Sequence, residues 1–279
     1  MSGTKDIEDV LVKAVRVLAN LSMEEVCGTN FSNEARLTDL ISRVFDVNDR
    51  KTLSDELLIG CATTLNNLSY YADDDSVLMQ NQQQHTLGMV EMLLSSNANC
   101  VVEAMRVLGN FTRLRAVRDI LVNEEVFETV INLLDSHNRD IIFSTCGILI
   151  NIMADRNNHA LFKKLGGVTK LVQVLKERAE TDWLLGGLIC QILWNFSENI
   201  ESAAHCFGRE QADDLLTVLN ELTEPDLALD YESQEDMEDD VKVVLEEMWS
   251  KHFIPVASQL LQRVERHHSD LEPIVTFPE

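Results

Sequence analysis

Apolar residues return every three or four positions through long stretches of this chain. Between positions 98 and 115, Val101, Ala104, Met105, Leu108 and Phe111 fall on one stripe, which predicts an amphipathic helix. The same spacing predicts helices over 7–22, 56–69, 141–154 and 184–197. All five end on a related pentapeptide: Leu18-Ala19-Asn20-Leu21-Ser22, Leu65-Asn66-Asn67-Leu68-Ser69, Leu108-Gly109-Asn110-Phe111-Thr112, Leu149-Ile150-Asn151-Ile152-Met153 and Leu193-Trp194-Asn195-Phe196-Ser197. Consecutive asparagines of this series stand 47, 43, 41 and 44 residues apart. A helical unit repeating at that period cannot bury its apolar face alone, so neighbouring units must stack into one continuous core. The pattern predicts an all-α solenoid and favours a binding surface over a catalytic pocket.

Shorter amphipathic stretches, 87–94, 126–134 and 168–176, precede the later long helices. A third brief element comes before two of them, at 116–122 and 159–165. Gly166-Gly167 ends one helix and permits a sharp turn into the next. The unit is therefore short helix, medium helix, long helix. The ends are less regular. The opening helix, 7–22, lacks the two shorter helices that should precede it and is expected to expose an apolar stripe. The chain is then a C-terminal piece of a longer array, or another segment covers that edge. Only one helix, 35–45, is predicted between 22 and 55, and 70–76 with 80–85 reads as an exposed connection. An acidic loop over 224–240 gives way to renewed helical spacing at Val241, Val244, Leu245, Met248 and Trp249, and a last helix over 255–267 caps the array.

The run Leu165-Gly166-Gly167-Val168 through Leu175, with Ile192-Leu193-Trp194-Asn195-Phe196-Ser197, resembles the Gly-Gly turn and third-helix ending of the armadillo family. The resemblance spans roughly 5–220 and departs at Glu124-Glu125-Val126, where a second Gly-Gly would stand. It implies a right-handed armadillo-type α-solenoid of three-helix repeats. Over 1–279 this gives a single domain: a partial repeat at 5–22, repeats over 35–220, the acidic loop, and capping helices over 241–268.

Net charge is −24, and from Glu201 onward there are 20 acidic and 5 basic residues. Nucleic acid requires a clustered positive footprint, and anionic membranes repel a negative surface. Protein partners remain. The six cysteines form no CxxC pair, and four of them sit on the long helices, where a reduced thiol packs as a small apolar residue. No basic start followed by an apolar run marks a signal peptide, and the longest nearly apolar stretch, 141–154, is too short to span a bilayer. A cytoplasmic protein is expected. The Asn-x-Ser/Thr matches within the repeats are then expected to stay unglycosylated.

No nucleophile elbow, phosphate-binding loop, zinc-protease helix or calcium loop is present. No catalytic residue, cofactor or metal is expected. The asparagine series is the candidate site: Asn20, Asn67, Asn110, Asn151 and Asn195. Asn is a poor helix former, so its return at one position of five helices needs a reason. In the armadillo family this asparagine lines the concave groove, where its amide can meet the backbone of an extended peptide. The competing reading is that it helps terminate its own helix or bonds within the repeat. Arg106, Gln191 and Trp194 are expected beside it, and Arg106, Arg113, Arg115 and Arg118 form a basic patch or a solvated face paired with carboxylates. On the groove reading, replacing Asn110 and Asn151 with alanine weakens binding and leaves melting nearly unchanged. The positions four residues before each asparagine hold Arg16, Thr63, Arg106, Gly147 and Gln191 rather than the tryptophan of nuclear-import adaptors. A narrower resemblance within the family implies a scaffold for the axoneme of cilia and sperm flagella, with radial-spoke or central-pair partners. The alternative is a transport or signalling adaptor of the catenin or importin type.

Overall fold

A computed structural model describes residues 2–45, 53–229 and 239–268. Helices and short turns make up the described residues, with no strand among them. They cluster into two compact units, Met1–Ile152 and Met153–Glu279.

In the first unit, α1 (Ser2–Leu21), α2 (Glu25–Ser32), α3 (Ala35–Val44) and α4 (Asp55–Tyr71) are followed by α5 (Val77–Gln80), α6 (Gln82–Met92) and α7 (Ala98–Phe111). Then come α8 (Arg115–Leu121), α9 (Glu124–Asn132) and α10 (Arg139–Met153), whose last residue lies just past the division. The long helices α1, α4 and α7 lie side by side, α1 on α4 and α4 on α7. Leu65, Leu68, Met89, Met105, Leu108, Phe111 and Phe127 are sealed from solvent between the layers. Burying each such side chain stabilises by about 1.5–3 kcal/mol.

The second unit holds α11 (His159–Lys164), α12 (Gly167–Arg178), α13 (Trp183–Phe196), α14 (Ala203–Phe207), α15 (Arg209–Thr223), α16 (Pro225–Ala228) and α17 (Asp239–Met248). A π-helical turn, Trp249–Phe253, leads into α18 (Ile254–His268). The predicted Gly-Gly turn is there, with Gly166 at φ 78°, a left-handed conformation that costs glycine little. A second glycine serves packing. A Cβ on Gly187 would stand 2.5 Å from the His252 carbonyl oxygen, so the bare backbone of α13 is what lets the π-helical turn close onto it. Trp183 and Phe253 stack there, with ring centroids 5.1 Å apart.

Two predicted connections are helical instead. The stretch after α1 contains α2 besides α3, started by Glu24, whose carboxylate accepts from the Cys27 amide. The stretch 80–85, polar in sequence, belongs to α5 and α6, and His85 is fully buried. The polar run misleads because Ser76 caps α5, its hydroxyl accepting from the Met79 amide, while Leu78 and Met79 supply the buried face. At 224–240, Pro225–Ala228 forms a short helix and α17 begins at Asp239; residues 230–238 of the expected acidic loop lie outside the described residues. At Asn123 the chain enters α9 with φ −55°, so Glu124-Glu125 replaces the expected Gly-Gly without left-handed backbone.

Candidate functional site

A helix leaves its last carbonyls without intrahelical partners, and a buried helix end must find donors elsewhere. The ladder asparagines supply them to the helix before their own. Asn67 on α4 donates its amide to the Ala19 carbonyl (3.0 Å) and the Ser22 hydroxyl (3.3 Å) at the end of α1. Asn110 on α7 donates to the Asn66 carbonyl (3.2 Å), the Asn66 side-chain oxygen (3.1 Å) and the Ser69 hydroxyl (3.0 Å) at the end of α4. Asn151 on α10 donates to the Gly109 carbonyl (3.4 Å) and the Thr112 hydroxyl (2.8 Å) at the end of α7. Each rung thus reads the same two acceptors: the carbonyl one residue before the preceding asparagine and the hydroxyl two residues after it. Those hydroxyls are buried and donate in turn to the same carbonyls, Ser22 to Ala19 at 2.8 Å, Ser69 to Asn66 at 2.7 Å and Thr112 to Gly109 at 2.9 Å.

This explains the Asn-x-Ser/Thr appearance of the repeats. The hydroxyl is the acceptor for the next rung. The fourth motif ends in Met153 instead, and the division between the two compact units falls at that residue.

In the second unit the rung after α13 is made by an arginine. Arg263 of α18 donates to the Trp194 carbonyl (2.8 Å) and the Ser197 hydroxyl (3.2 Å), the same pair of positions, and its guanidinium lies 3.1 Å from the centre of the Trp194 ring. Burial lowers the Arg263 pKa, while Glu198 and Cys206 act in the opposite sense. Helix α18 therefore occupies the place of a further long helix. Neither Arg263 nor the four hydroxyls was singled out from the sequence. The hydroxyls were visible as the Ser/Thr of the motif; Arg263, on a helix without the motif, gave no signal.

The remaining expected residues fall as follows. Asn67, Asn110, Asn151 and Asn195 are half-buried, and Asn20 is exposed with no partner for its amide among the described residues. Gln191 donates to the Asn195 side-chain oxygen at 3.0 Å. Trp194 keeps partial exposure, but its ring lies under Arg263. The arginines expected to form a basic patch are mostly engaged at home. Arg106 pairs with Glu103 (2.8 Å), which also accepts from Thr63 (3.0 Å). Arg113 donates to the Ser69 and Ala72 carbonyls and pairs with Asp74, and Arg118 donates to the Thr112 and Arg113 carbonyls. Arg115 faces Asp119 at 3.8 Å. The alternative of a face paired with nearby groups describes this cluster.

On the ladder face of the first unit a cleft of about 560 Å³ opens between α1 and α4, lined by Arg16, Asn20, Glu56, Gly60, Thr63 and Asn97. Arg16 bonds Glu56 across it, and Asn97 donates to Asp55 at 2.8 Å. Among the described residues no group of three or more His, Cys, Asp or Glu could hold a metal ion. No described helix is long and apolar enough to cross a membrane.

No family model matches the chain. Among solved structures it is similar to an engineered protein (TM-score 0.65, 16% identity, covering 94% of this chain and 98% of that one). It is also similar to a designed armadillo repeat protein (TM-score 0.61, 14% identity, 91% and 92%). The fold is an armadillo-repeat solenoid. Another designed armadillo repeat protein, solved in complex with the peptide (KR)4, matches at TM-score 0.58 and 14% identity over 89% of this chain and 92% of that one. Among curated proteins, 269 residues (96% of the chain) are 38% identical to armadillo repeat-containing protein 2 of Bos taurus, and 271 residues are 37% identical to that of Homo sapiens. The chain spans about 30% of the length of each of these relatives. The rungs described above thus belong to an armadillo-type solenoid.

Proposed function

We propose that the chain is a non-enzymatic scaffold whose ladder face holds an extended segment of a partner protein. The observation that carries this reading is the cleft between α1 and α4, where polar side chains of both signs line an open surface at the end of the ladder. Its donors and acceptors suit the alternating N–H and C=O of an extended backbone. The ladder amides of Asn67, Asn110 and Asn151 already serve the preceding helix ends, so a partner meets their carbonyl oxygens and Asn20 rather than complete amides. Net affinity within the first unit is then spread over Arg16, Asn20, Thr63 and Arg106, each polar contact adding about 1 kcal/mol. The likeness to a designed armadillo repeat protein solved with a peptide supports a peptide partner for this fold.

For the biological setting we carry over the narrower resemblance: assembly of the ciliary and flagellar axoneme, with radial-spoke or central-pair components as partners. The test is photo-crosslinking in ciliated cells. A crosslinking amino acid at Thr63 should capture axonemal components, whereas one at exposed Leu87, which does not line the cleft, should not. Equal capture from both positions, or the same partners from non-ciliated cells, overturns the proposal.

A further inference from the structure

One cleft runs against the charge of the chain. It encloses about 880 Å³ in the second unit and is walled by α11, α14 and the turn after α13. Arg156, His159, Lys163, Lys164 and His205 line it, and Glu201 is the one carboxylate on its wall. No ladder asparagine lines it. In a chain of net charge −24, Arg156, Lys163 and Lys164 at one cleft, against Glu201 on its wall and Glu198 beside Arg156, leave a local excess of positive charge.

Arg156 and Lys163 keep capacity for a ligand. Arg156 uses its Nε toward Glu198 at 3.1 Å and leaves its side chain 59% exposed. Lys163 spends one proton on the His205 carbonyl at 2.6 Å, which fixes the ammonium at the mouth and leaves two more. Their field reaches the wall: burial pushes the Cys206 thiol up to about 11, while Lys163 and Arg263 pull it the other way. The floor is apolar. Phe196 lies there, stacked with His159 at 5.0 Å and with Phe207 at 5.9 Å.

We propose that this cleft docks a short acidic segment of a partner protein, two or three carboxylates meeting Arg156, Lys163 and Lys164 while one aliphatic side chain settles toward Phe196. Charge complementarity selects that occupant. A nucleic acid carries phosphates along its whole length and would bring them against the negative remainder of the surface. An acidic peptide places its charge only where the cleft is positive. Because its residues are distinct from those of the ladder face, this site stands or falls separately from the groove.

The test is fluorescence anisotropy on the full chain with a labelled hexapeptide of Asp and Glu around a single Leu. Binding is expected in the micromolar range at about 50 mM salt and weaker at about 150 mM, where the screening length shortens. The double variant Lys163→Glu/Lys164→Glu should lose at least tenfold, and Lys163→Gln/Lys164→Gln an intermediate amount, with circular dichroism confirming that both stay helical. Leu87→Ser, at an exposed position of the first unit, should bind the hexapeptide like the parent. A matched peptide of Asn and Gln should not bind. The proposal is overturned if the acidic peptide fails to bind at low salt, if the Lys163→Glu/Lys164→Glu variant binds as tightly as the parent, or if a single-stranded oligonucleotide of equal charge competes fully.

Discussion

Helix α1 of the first unit and helix α18 of the second meet their neighbours differently. On α18, Ala257, Leu260 and Val264 are buried, and Arg263 completes the rung on α13 with two hydrogen bonds and a face-on cation–π contact. On α1, only Val12 and Ala19 are buried among the apolar residues, while Ile7, Val10, Leu11, Val17 and Leu21 are between 46% and 64% exposed. Among the described residues Asn20 has no acceptor for its amide. The same chemistry is closed in one place and open in the other. On this reading a ladder residue draws its value from the helix end it caps and not from its identity, since Arg263 donates to the same pair of positions as the asparagines do.

The largest effect is expected at the closed end. Arg263→Ala removes two charge-assisted donors from a buried helix terminus and uncovers Trp194, a loss of about 3 kcal/mol. Urea denaturation should show it, with hydrogen exchange rising first at the end of α13. Arg263→Lys, lacking the planar fork, should recover only part. An unchanged midpoint for Arg263→Ala would remove the distinction between the two ends.

A second, comparable effect concerns pH. His85 is fully buried beside Phe111, neither ring nitrogen has a hydrogen-bond partner, and burial lowers its pKa to about 4. The unfolded chain therefore takes up a proton that the folded one refuses. Stability is complete above the ordinary histidine value and is lost as pH falls toward 4, by about 2 kcal/mol between pH 7 and 5. His85→Leu should flatten that slope in denaturation curves taken at the two pH values. A slope equal to the parent's would show that His85 is not buried in its neutral form.

Smaller still is the effect of Val17→Glu with Leu21→Glu on the open face of α1. These positions are 57% and 46% exposed, so the melting temperature should move little. Any concentration-dependent association seen by light scattering should fall, since exposed apolar stripes drive it. A melting temperature lowered by several degrees would mean the face is already covered.

Much of this was legible in the sequence, and the reasons for success and failure are local. The five long helices follow from apolar spacing alone, because burial of one stripe dictates both the helix and its orientation. The turn at Gly166 was legible because only glycine takes that backbone at low cost. Helix α2 was missed because its apolar residues are sparse and Val26 is exposed, leaving no stripe to read. The predicted helix at 87–94 starts five residues earlier as α6, its first turn hidden by Gln82, Gln83 and Gln84, which precede the buried His85 and Met89. The ladder was visible as a repeat, but its chemistry was not. Its acceptors lie some 40 residues earlier, at the end of another helix, and spacing within one helix carries no information about them. For this reason alanine at Asn110 and Asn151 is expected to lower the melting temperature rather than leave it unchanged. Helix propensity favours alanine, but each substitution strips donors from a buried helix end.

The most direct test of the ladder is a double-mutant cycle between Asn110 and Ser69, with Asn20→Ala as the outside reference. Asn110→Ala should destabilise by about 1–2 kcal/mol and couple to Ser69→Ala by about 1 kcal/mol, because the two share one hydrogen bond and one carbonyl. Asn20→Ala should change stability by no more than about 0.5 kcal/mol. No coupling between Asn110 and Ser69, or equal losses at Asn20 and Asn110, would contradict the account that each rung exists to cap the helix before it.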